Sequence, residues 1–166
     1  PDRPGRRGRF VAGTPAGVPA VLDTHGEALR LGAAAGAAIV KPNLAELKSL
    51  TGHKLATSDE VITAAGQLRG AQAVVVTLGP DGLLAATGDG CWRARAPAAV
   101  AGNATGAGDA VAAALAHGLV LGRPWDERLR HAAALGAATA AAPVAGEFRR
   151  QDYLGALTTV TVEEVR

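Results

Sequence analysis

Short apolar runs alternate with helical segments along most of this chain, and this alternation limits the possible folds more than any other feature. Apolar runs typical of buried strands cover residues 18–23, 37–40 and 73–78, and segments with helical patterns separate them. Strands that are connected by helices pair in parallel, and helices cover both faces of their sheet. The sequence therefore predicts an α/β fold in three layers, with a largely parallel sheet between helices.

Capping and turn signals place the remaining elements. The sequence predicts a hairpin over 82–94 that turns at 88–90, and a final strand over 158–162. Asp23 ends the first strand and, with residues 24–26, could face the active-site crevice, but helix capping is the simpler role. Residues 1–17 are rich in Pro, Gly and Arg and lack periodicity, which predicts a poorly ordered segment before one folded part over 18–166. Helices are expected over 26–35 and 43–50, and from Thr57 or Ser58 to about Arg69 with Gly70 as the stop signal. The remainder is mostly helical, over 107–121, from Glu127 to about Ala141, and more weakly in the tail before the final strand.

The composition excludes several classes of protein. Of the 166 residues 48% are hydrophobic but only 3% are aromatic, so the core must be built from small aliphatic side chains. The net charge of +2 predicts no strongly charged partner. A nucleic-acid partner is not expected either, since no aromatic platform accompanies the arginines of the N-terminal segment. No apolar stretch reaches the roughly 20 residues that span a bilayer. The single cysteine, Cys91, favours a reducing cytoplasm.

A glycine-rich loop meets the start of a helix within residues 102–110. Gly106, Ala107 and Gly108 stand immediately before Asp109. A helix N-terminus has unpaired N–H groups and a partial positive charge, and glycine lets an anion approach the backbone closely. Asp109 could accept a proton from an attacking hydroxyl, or it could be a helix-capping acid. The segment by itself leaves both roles open.

Two further polar segments follow apolar strands. Lys41 and Pro42 lead into Asn43 and Glu46, whose spacing is that of a capping box, and Lys41 could equally be a solvated lysine at a strand end. Residues 77–82 follow the third strand and could be an ordinary turn. Ligands of open α/β sheets bind outside the carboxyl ends of the strands. The three polar segments together therefore predict a binding site.

In this order the segments resemble those of the PfkB (ribokinase-like) family of carbohydrate kinases. The Lys-Pro-Asn-x-x-Glu form is most similar to the branch of 1-phosphofructokinase and tagatose-6-phosphate kinase. The resemblance extends from about Pro19 to the C-terminus. It implies the ribokinase-like three-layer α/β/α fold, and it identifies the chain as the C-terminal, nucleotide-binding half, without the family's N-terminal half and β lid.

The resemblance also implies a role for each segment. Asp109 is expected to be the catalytic base, and Gly106, Ala107 and Gly108 are expected to form an anion hole. Asn43 and Glu46 would organise Mg²⁺ from its outer shell, by binding the waters that surround the ion. Thr105 lies where some members of the family hold a monovalent cation. The residues expected to bind the nucleotide cofactor and its ions are Lys41, Asn43, Thr77, Gly79, Gly82 and Thr105.

The implied activity is transfer of the γ-phosphoryl group of ATP to a hydroxyl of a hexose phosphate, as in 1-phosphofructokinase. The intact enzyme is expected to be a homodimer. The alternative is a truncated, non-catalytic nucleotide-binding remnant, which would lack the sugar site and the lid that exclude water. The isolated chain is in either case expected to be poorly soluble or loosely packed, since apolar faces that the N-terminal half normally covers would be exposed. A dinucleotide-binding oxidoreductase is disfavoured, because Gly102–Asp109 lacks the Gly-x-Gly-x-x-Gly spacing.

Overall fold

The computed structural model of the chain describes residues 13–15, 18–96 and 102–165. A 3₁₀ turn, Gly79–Asp81, follows the third strand. The segment 1–17, expected to be poorly ordered, falls mostly outside the described residues. In chain order the helices and strands are β1 (Val21–Leu22), α1 (Gly26–Ala34), β2 (Ile39–Val40), α2 (Leu44–Thr51), α3 (Ser58–Ala65), β3 (Ala73–Thr77), β4 (Leu83–Thr87), β5 (Gly90–Arg95), α4 (Ala107–Val120), α5 (Trp125–Ala141), α6 (Arg150–Thr159) and β6 (Thr161–Val165).

The described residues form two compact units. The first contains the residues up to Thr77 together with Leu84–Cys91, and the second contains Leu78–Leu83 and the described part of Trp92–Val165. Thus β1, β2, β3 and most of β4 belong to the first unit, and α4, α5, α6 and β6 belong to the second. No helix among the described residues is long and apolar enough to cross a membrane.

The first unit is built on three parallel strands. Val21 of β1 pairs with Ile39 of β2, and Val40 pairs with Val74 of β3; β4 lies next to β3. The side chains of Ile39, Val40 and residues 74–76 are all buried. Such unbroken runs of β-branched residues are typical of strands that are buried on both faces. The predicted parallel order is therefore confirmed for these three strands.

Two strands are shorter than predicted, because nearby amides make other hydrogen bonds. Val18 is 55% exposed, and its amide donates to a carbonyl three residues earlier. Pro19 has no amide to donate, so β1 begins only at Val21. The second strand begins at Ile39 rather than at residue 37, whose amide donates to the Gly32 carbonyl of α1 at 3.4 Å.

Helix α3 begins as predicted and ends earlier. Its N-cap is Thr57, whose hydroxyl accepts the Glu60 amide at 3.3 Å. The Glu60 carboxylate accepts the amides of Ala56 and Thr57, and these hydrogen bonds hold the pKa of that carboxyl below its usual range. The helix ends at Ala65 rather than near Arg69, because the amides of residues 67 and 68 donate to carbonyls only three residues back.

In the second unit, α4 and α5 pack closely because their contact contains glycine. A Cβ on Gly136 would lie 2.8 Å from Val111 Cγ2, and one on Gly118 would lie 2.9 Å from Arg128 Cγ. Small residues therefore allow the two helices to approach each other. The core of this contact is aliphatic, as the composition predicts.

The C-terminal part was predicted least sharply. Helix α6 lies in the tail for which only weak helical character without bounds was expected, and the strand expected over 158–162 is β6, which begins at Thr161. Two side chains of α5 hold this part: Arg130 Nη1 donates to the Val160 carbonyl at 2.6 Å, and His131 Nδ1 lies 2.5 Å from the Tyr153 hydroxyl. Partial burial, followed by the positive charge of Arg123, lowers the pKa of His131. These contacts join distant residues, and a local pattern does not reveal them.

Candidate functional site

The glycine-rich loop leads directly into α4. Gly106 is the N-cap with φ +88°, Ala107 is the first helical residue, and Asp109 is in the first turn. Among the described residues the amides of Gly108 and Asp109 have no backbone acceptor outside the helix, as expected at a helix start. Asp109 is exposed. It is not the capping residue, since the N-cap is Gly106 and no side chain caps the helix. Within the described ranges, an exposed carboxylate and two amides without a backbone acceptor therefore stand together.

Residues after α5 hold this loop from behind. The Asn103 amide donates to the Ala142 carbonyl at 3.0 Å, and the Gly146 amide donates to the Thr105 carbonyl at 3.0 Å. The Thr105 amide donates to Asn103 Oδ1 at 3.0 Å. A Cβ on Gly106 would lie 2.7 Å from Gly146 Cα. The shape of the loop thus depends on Gly146, which the sequence did not single out.

The turn after β3 requires glycine at two places. The Leu78 amide donates to the Gly82 carbonyl at 2.8 Å and closes the turn. Gly82 has φ +89°, and a Cβ there would lie 2.1 Å from the Ala94 carbonyl oxygen. Gly79 has φ +62°, with open space where a Cβ would be. The turn is therefore structurally constrained at Gly82 and leaves uncovered backbone at Gly79.

The Lys-Pro-Asn segment forms the predicted capping box at the start of α2. Asn43 Oδ1 accepts the Glu46 amide, and Glu46 Oε2 accepts the Asn43 amide, both at 2.8 Å. The Thr77 amide donates to the Pro42 carbonyl at 3.0 Å, and Asn43 and Thr77 form an isolated parallel bridge. Asn43, Glu46 and Thr77 therefore meet at the carboxyl ends of β2 and β3.

The donor set of this corner fits Mg²⁺ held through water. No group of three or more His, Cys, Asp or Glu side chains that could hold a metal ion occurs in the described parts of the chain. Glu46 uses one carboxylate oxygen in the capping box, which leaves the other for water. Mg²⁺ commonly keeps several waters and takes one or two carboxylates. Capping by Asn43 and Glu46 and an outer-shell metal role are therefore compatible.

Lys41 is neither solvated nor free. Its side chain is 4% exposed, and its Nζ lies 3.0 Å from Asp23 Oδ2. Asp23 does not cap α1, whose N-cap is His25. The capping role expected for Asp23 is wrong, because its carboxylate pairs with Lys41 instead. The solvated-lysine alternative for Lys41 is also wrong, because the side chain is buried, and a buried ammonium requires a counter-charge close by.

The predicted site residues are divided between the two units. Asn43 and Thr77 lie side by side at the ends of β2 and β3, where ligands of open α/β sheets bind. For Asp23 capping was preferred to a place at the crevice, and the register that places Leu22 opposite Val40 favours the second alternative; no sequence signal indicates Gly146. The first unit contains Lys41, Asn43, Glu46 and Thr77, and the second contains Gly79, Gly82, Thr105, Gly106, Ala107, Gly108 and Asp109.

Comparison with known proteins identifies the family. The model of the pfkB family carbohydrate kinases matches residues 11–149, which is most of the chain. The chain belongs to the pfkB family. A 1-phosphofructokinase of Escherichia coli is 37% identical to this pfkB-family chain over 119 residues, which are 70% of the chain and 38% of the relative.

Solved structures agree with the fold. Phosphofructokinase-2 from Escherichia coli, solved in complex with potassium, is 26% identical with a TM-score of 0.86, and the match covers 95% of this chain and 52% of that one. Arabidopsis thaliana ribokinase, complexed with ribose and ATP, is 28% identical with a TM-score of 0.69, and the match covers 86% and 48%. The ribokinase-like α/β fold is thus confirmed. The pfkB-family chain spans about half the length of these proteins, and less of the curated relative.

Proposed function

We propose that this chain is the nucleotide-binding part of an ATP-dependent kinase that phosphorylates a hydroxyl of a hexose phosphate. A 1-phosphofructokinase activity is favoured, because 1-phosphofructokinase of Escherichia coli is similar to the chain at 37% identity. ATP and the sugar phosphate are the proposed partners, in a homodimer of the intact enzyme in the cytoplasm. The Lys-Pro-Asn-x-x-Glu sequence of residues 41–46 also supports this branch of the family.

The start of α4 carries the proposal. Free amides at Gly108 and Asp109, next to an exposed carboxylate, fit a reaction in which a hydroxyl loses a proton while negative charge develops on a phosphoryl group. Asp109 takes the proton of the acceptor hydroxyl, whose oxygen forms the new bond to phosphorus as ADP leaves. The amides of Gly106, Gly108 and Asp109 stabilise the charge on the phosphoryl oxygens, whereas the Ala107 amide, also expected in the anion hole, donates to the Ala104 carbonyl at 3.1 Å. Positioning and charge stabilisation lower most of the barrier in such reactions.

The remaining residues hold the nucleotide and its ions in this proposal. Lys41 contacts a phosphate, and Asn43 and Glu46 orient the waters of Mg²⁺, which neutralises phosphate charge when bound. The open backbone at Gly79 fits a nucleotide lying along it. Thr77 and Gly82 complete that binding surface, and a monovalent cation is proposed near Thr105, because the similar phosphofructokinase-2 of Escherichia coli was solved with potassium.

The second candidate is a non-catalytic nucleotide-binding remnant of such a kinase. The chain spans 38% of the length of its 1-phosphofructokinase relative. A chain that neither excludes water nor binds a sugar would bind ATP but would not transfer its phosphoryl group. ATP binding without transfer is therefore the outcome that favours this candidate.

The test is ATP binding by calorimetry, together with phosphate transfer to a panel of hexose phosphates, by the 166-residue chain. Asp109→Asn should lower transfer about 10²–10⁴-fold with little change in ATP affinity, because it removes the base and keeps the side-chain volume. Asp126→Asn is the matched control, since Asp126 also lies in the first turn of a helix in the second unit. Retained turnover in Asp109→Asn would show that Asp109 is not the base. Absence of ATP binding by the unmodified chain would refute the proposed function.

A further inference from the structure

We propose that Asp23 is a positioning residue of the nucleotide site, which holds the ammonium of Lys41 at the carboxyl end of β2 for a nucleotide phosphate. This inference rests on the proposed function, which assigns Lys41 to that phosphate. Neither the capping pattern nor the glycine motifs involve Asp23, so its role has to come from its contact with Lys41.

The strand register brings the two side chains together. Leu22 of β1 lies opposite Val40 of β2, and the Lys41 amide donates to the Leu22 carbonyl at 2.9 Å. The next residues, Asp23 and Lys41, are therefore neighbours just beyond the paired strands. The main chain of this segment is also held on the other side, because the Pro42 carbonyl accepts the Thr77 amide. Only the long side chain of Lys41 remains to be oriented, and Asp23 binds its end.

The ammonium has more donors than Asp23 uses. A lysine ammonium has three N–H donors, and within the described part of the chain the partner found for Lys41 Nζ is Asp23 Oδ2. The side chain of Lys41 is 4% exposed and that of Asp23 is 35% exposed. Buried donors without acceptors are costly. Phosphate oxygens of a nucleotide are suitable acceptors for the remaining N–H groups.

Stability alone does not explain the pair. The cost of removing two charges from water offsets most of their attraction, and apolar residues of similar volume are often at least as stabilising. Lysine also has a flexible four-carbon stem, so a free ammonium would sample many positions. Asp23 removes this freedom before the ligand arrives, and an ordered donor loses less entropy on binding. The pair therefore does more than neutralise a buried charge: it orders a donor for a ligand.

The first experiment measures how well the Lys41 ammonium is shielded from a labelling reagent, without any ligand. Lys41, Lys48 and Lys54 are the lysines of the chain, so amine labelling followed by mass spectrometry has two internal references. Lys41 should react slowest in the unmodified chain, and Asp23→Asn should accelerate its labelling about tenfold relative to the references. Glu27→Gln is the matched control, because Glu27 forms an exposed ion pair with Arg30 in the same unit. Unchanged labelling of Lys41 in Asp23→Asn would overturn the positioning role.

The second experiment measures ATP affinity in a double-mutant cycle. Asp23→Asn should weaken Mg·ATP binding about tenfold, as expected for a lost contact to a charged group, and Asp23→Glu, which keeps the charge, should recover most of the affinity. In a Lys41→Ala background, Asp23→Asn should have no further effect, because Asp23 acts through the ammonium. Equal losses in both backgrounds would mean a general structural role and would overturn the proposal. The Asp23→Glu comparison decides the matter if Asp23→Asn fails to fold, and an affinity as low as that of Lys41→Ala would then refute it.

The two proposals fail in different ways. If the unmodified chain does not bind ATP, the proposed function is refuted and the positioning role with it. If the unmodified chain binds ATP and Asp23→Asn binds it equally well, only the positioning role is refuted.

Discussion

Replacing Gly106 with alanine is the sharpest test of how the loop before α4 is built. Gly106 has φ +88°, a conformation that costs a residue with a Cβ about 1–2 kcal/mol. The new Cβ would also lie 2.7 Å from Gly146 Cα and 2.9 Å from Gly146 N, whereas carbon atoms pack best at about 3.5–4.0 Å. Relieving such overpacking costs about 1–3 kcal/mol more. We expect Gly106→Ala to lower the free energy of unfolding by about 2–5 kcal/mol.

The displaced loop should also bind nucleotide less well, because the amides of α4 would point away from the phosphate. Gly122→Ala is the matched control: Gly122 has φ +63° in the same unit, with nothing within 4 Å of the added Cβ. Its free energy of unfolding should fall only by the conformational cost of about 1–2 kcal/mol, and its ATP affinity should be unchanged. Urea unfolding followed by circular dichroism measures the stability, and calorimetry measures the affinity. Equal losses of stability in the two variants would refute the argument from contact with Gly146.

Three further predictions concern stability. Leu129→Ala should lower the free energy of unfolding by about 2–5 kcal/mol, because Leu129 is fully buried; a loss below about 1 kcal/mol in urea unfolding would contradict this. Thr57→Ala should lower the free energy of unfolding by about 1 kcal/mol, since it removes the hydroxyl that accepts the Glu60 amide. Thr57→Ser, which keeps a hydroxyl, should retain most of that stability. The pKa of His131 is lowered in the folded chain, so the unfolded chain binds the proton more readily and stability should fall as the pH decreases below about 6.5. His131→Gln should remove this part of the pH dependence between pH 7 and 5, and an unchanged pH profile would contradict it.

Features that depend on residues three or four apart were predictable. The capping boxes of α2 and α3 are formed by side chains three residues from the amides they bind, so their spacing is visible in the sequence. The hairpin turn at 88–90 was predicted for the same reason, and β4 ends at Thr87 just before it. The corner formed by Asn43, Glu46 and Thr77 followed from one rule, that the carboxyl ends of parallel strands lie at one edge of the sheet.

Features that depend on strand register or on packing between distant residues were not predictable from the sequence. Helix α6 has no buried residue of its own, so its sequence has no apolar stripe that would define its bounds. It is held by α5 instead: His131 contacts Tyr153 of α6, and Arg130 binds the carbonyl of Val160, the next residue after α6. The end of α3 was misplaced because Gly70 was taken as the stop, whereas the tighter turn already starts at Gly66.

The sequence by itself determined the alternation of strands and helices, the glycines of the turns and the first turn of each capped helix, because these follow from hydrogen bonds and side-chain periodicity within a few residues. Only the tertiary structure decided that Lys41 is buried against Asp23 and that Gly106 lies against Gly146. Each of these contacts joins residues far apart in the chain, so it exists only once strand register and helix packing are complete. Charge pairing and close packing act over a few ångströms, whatever the distance along the sequence.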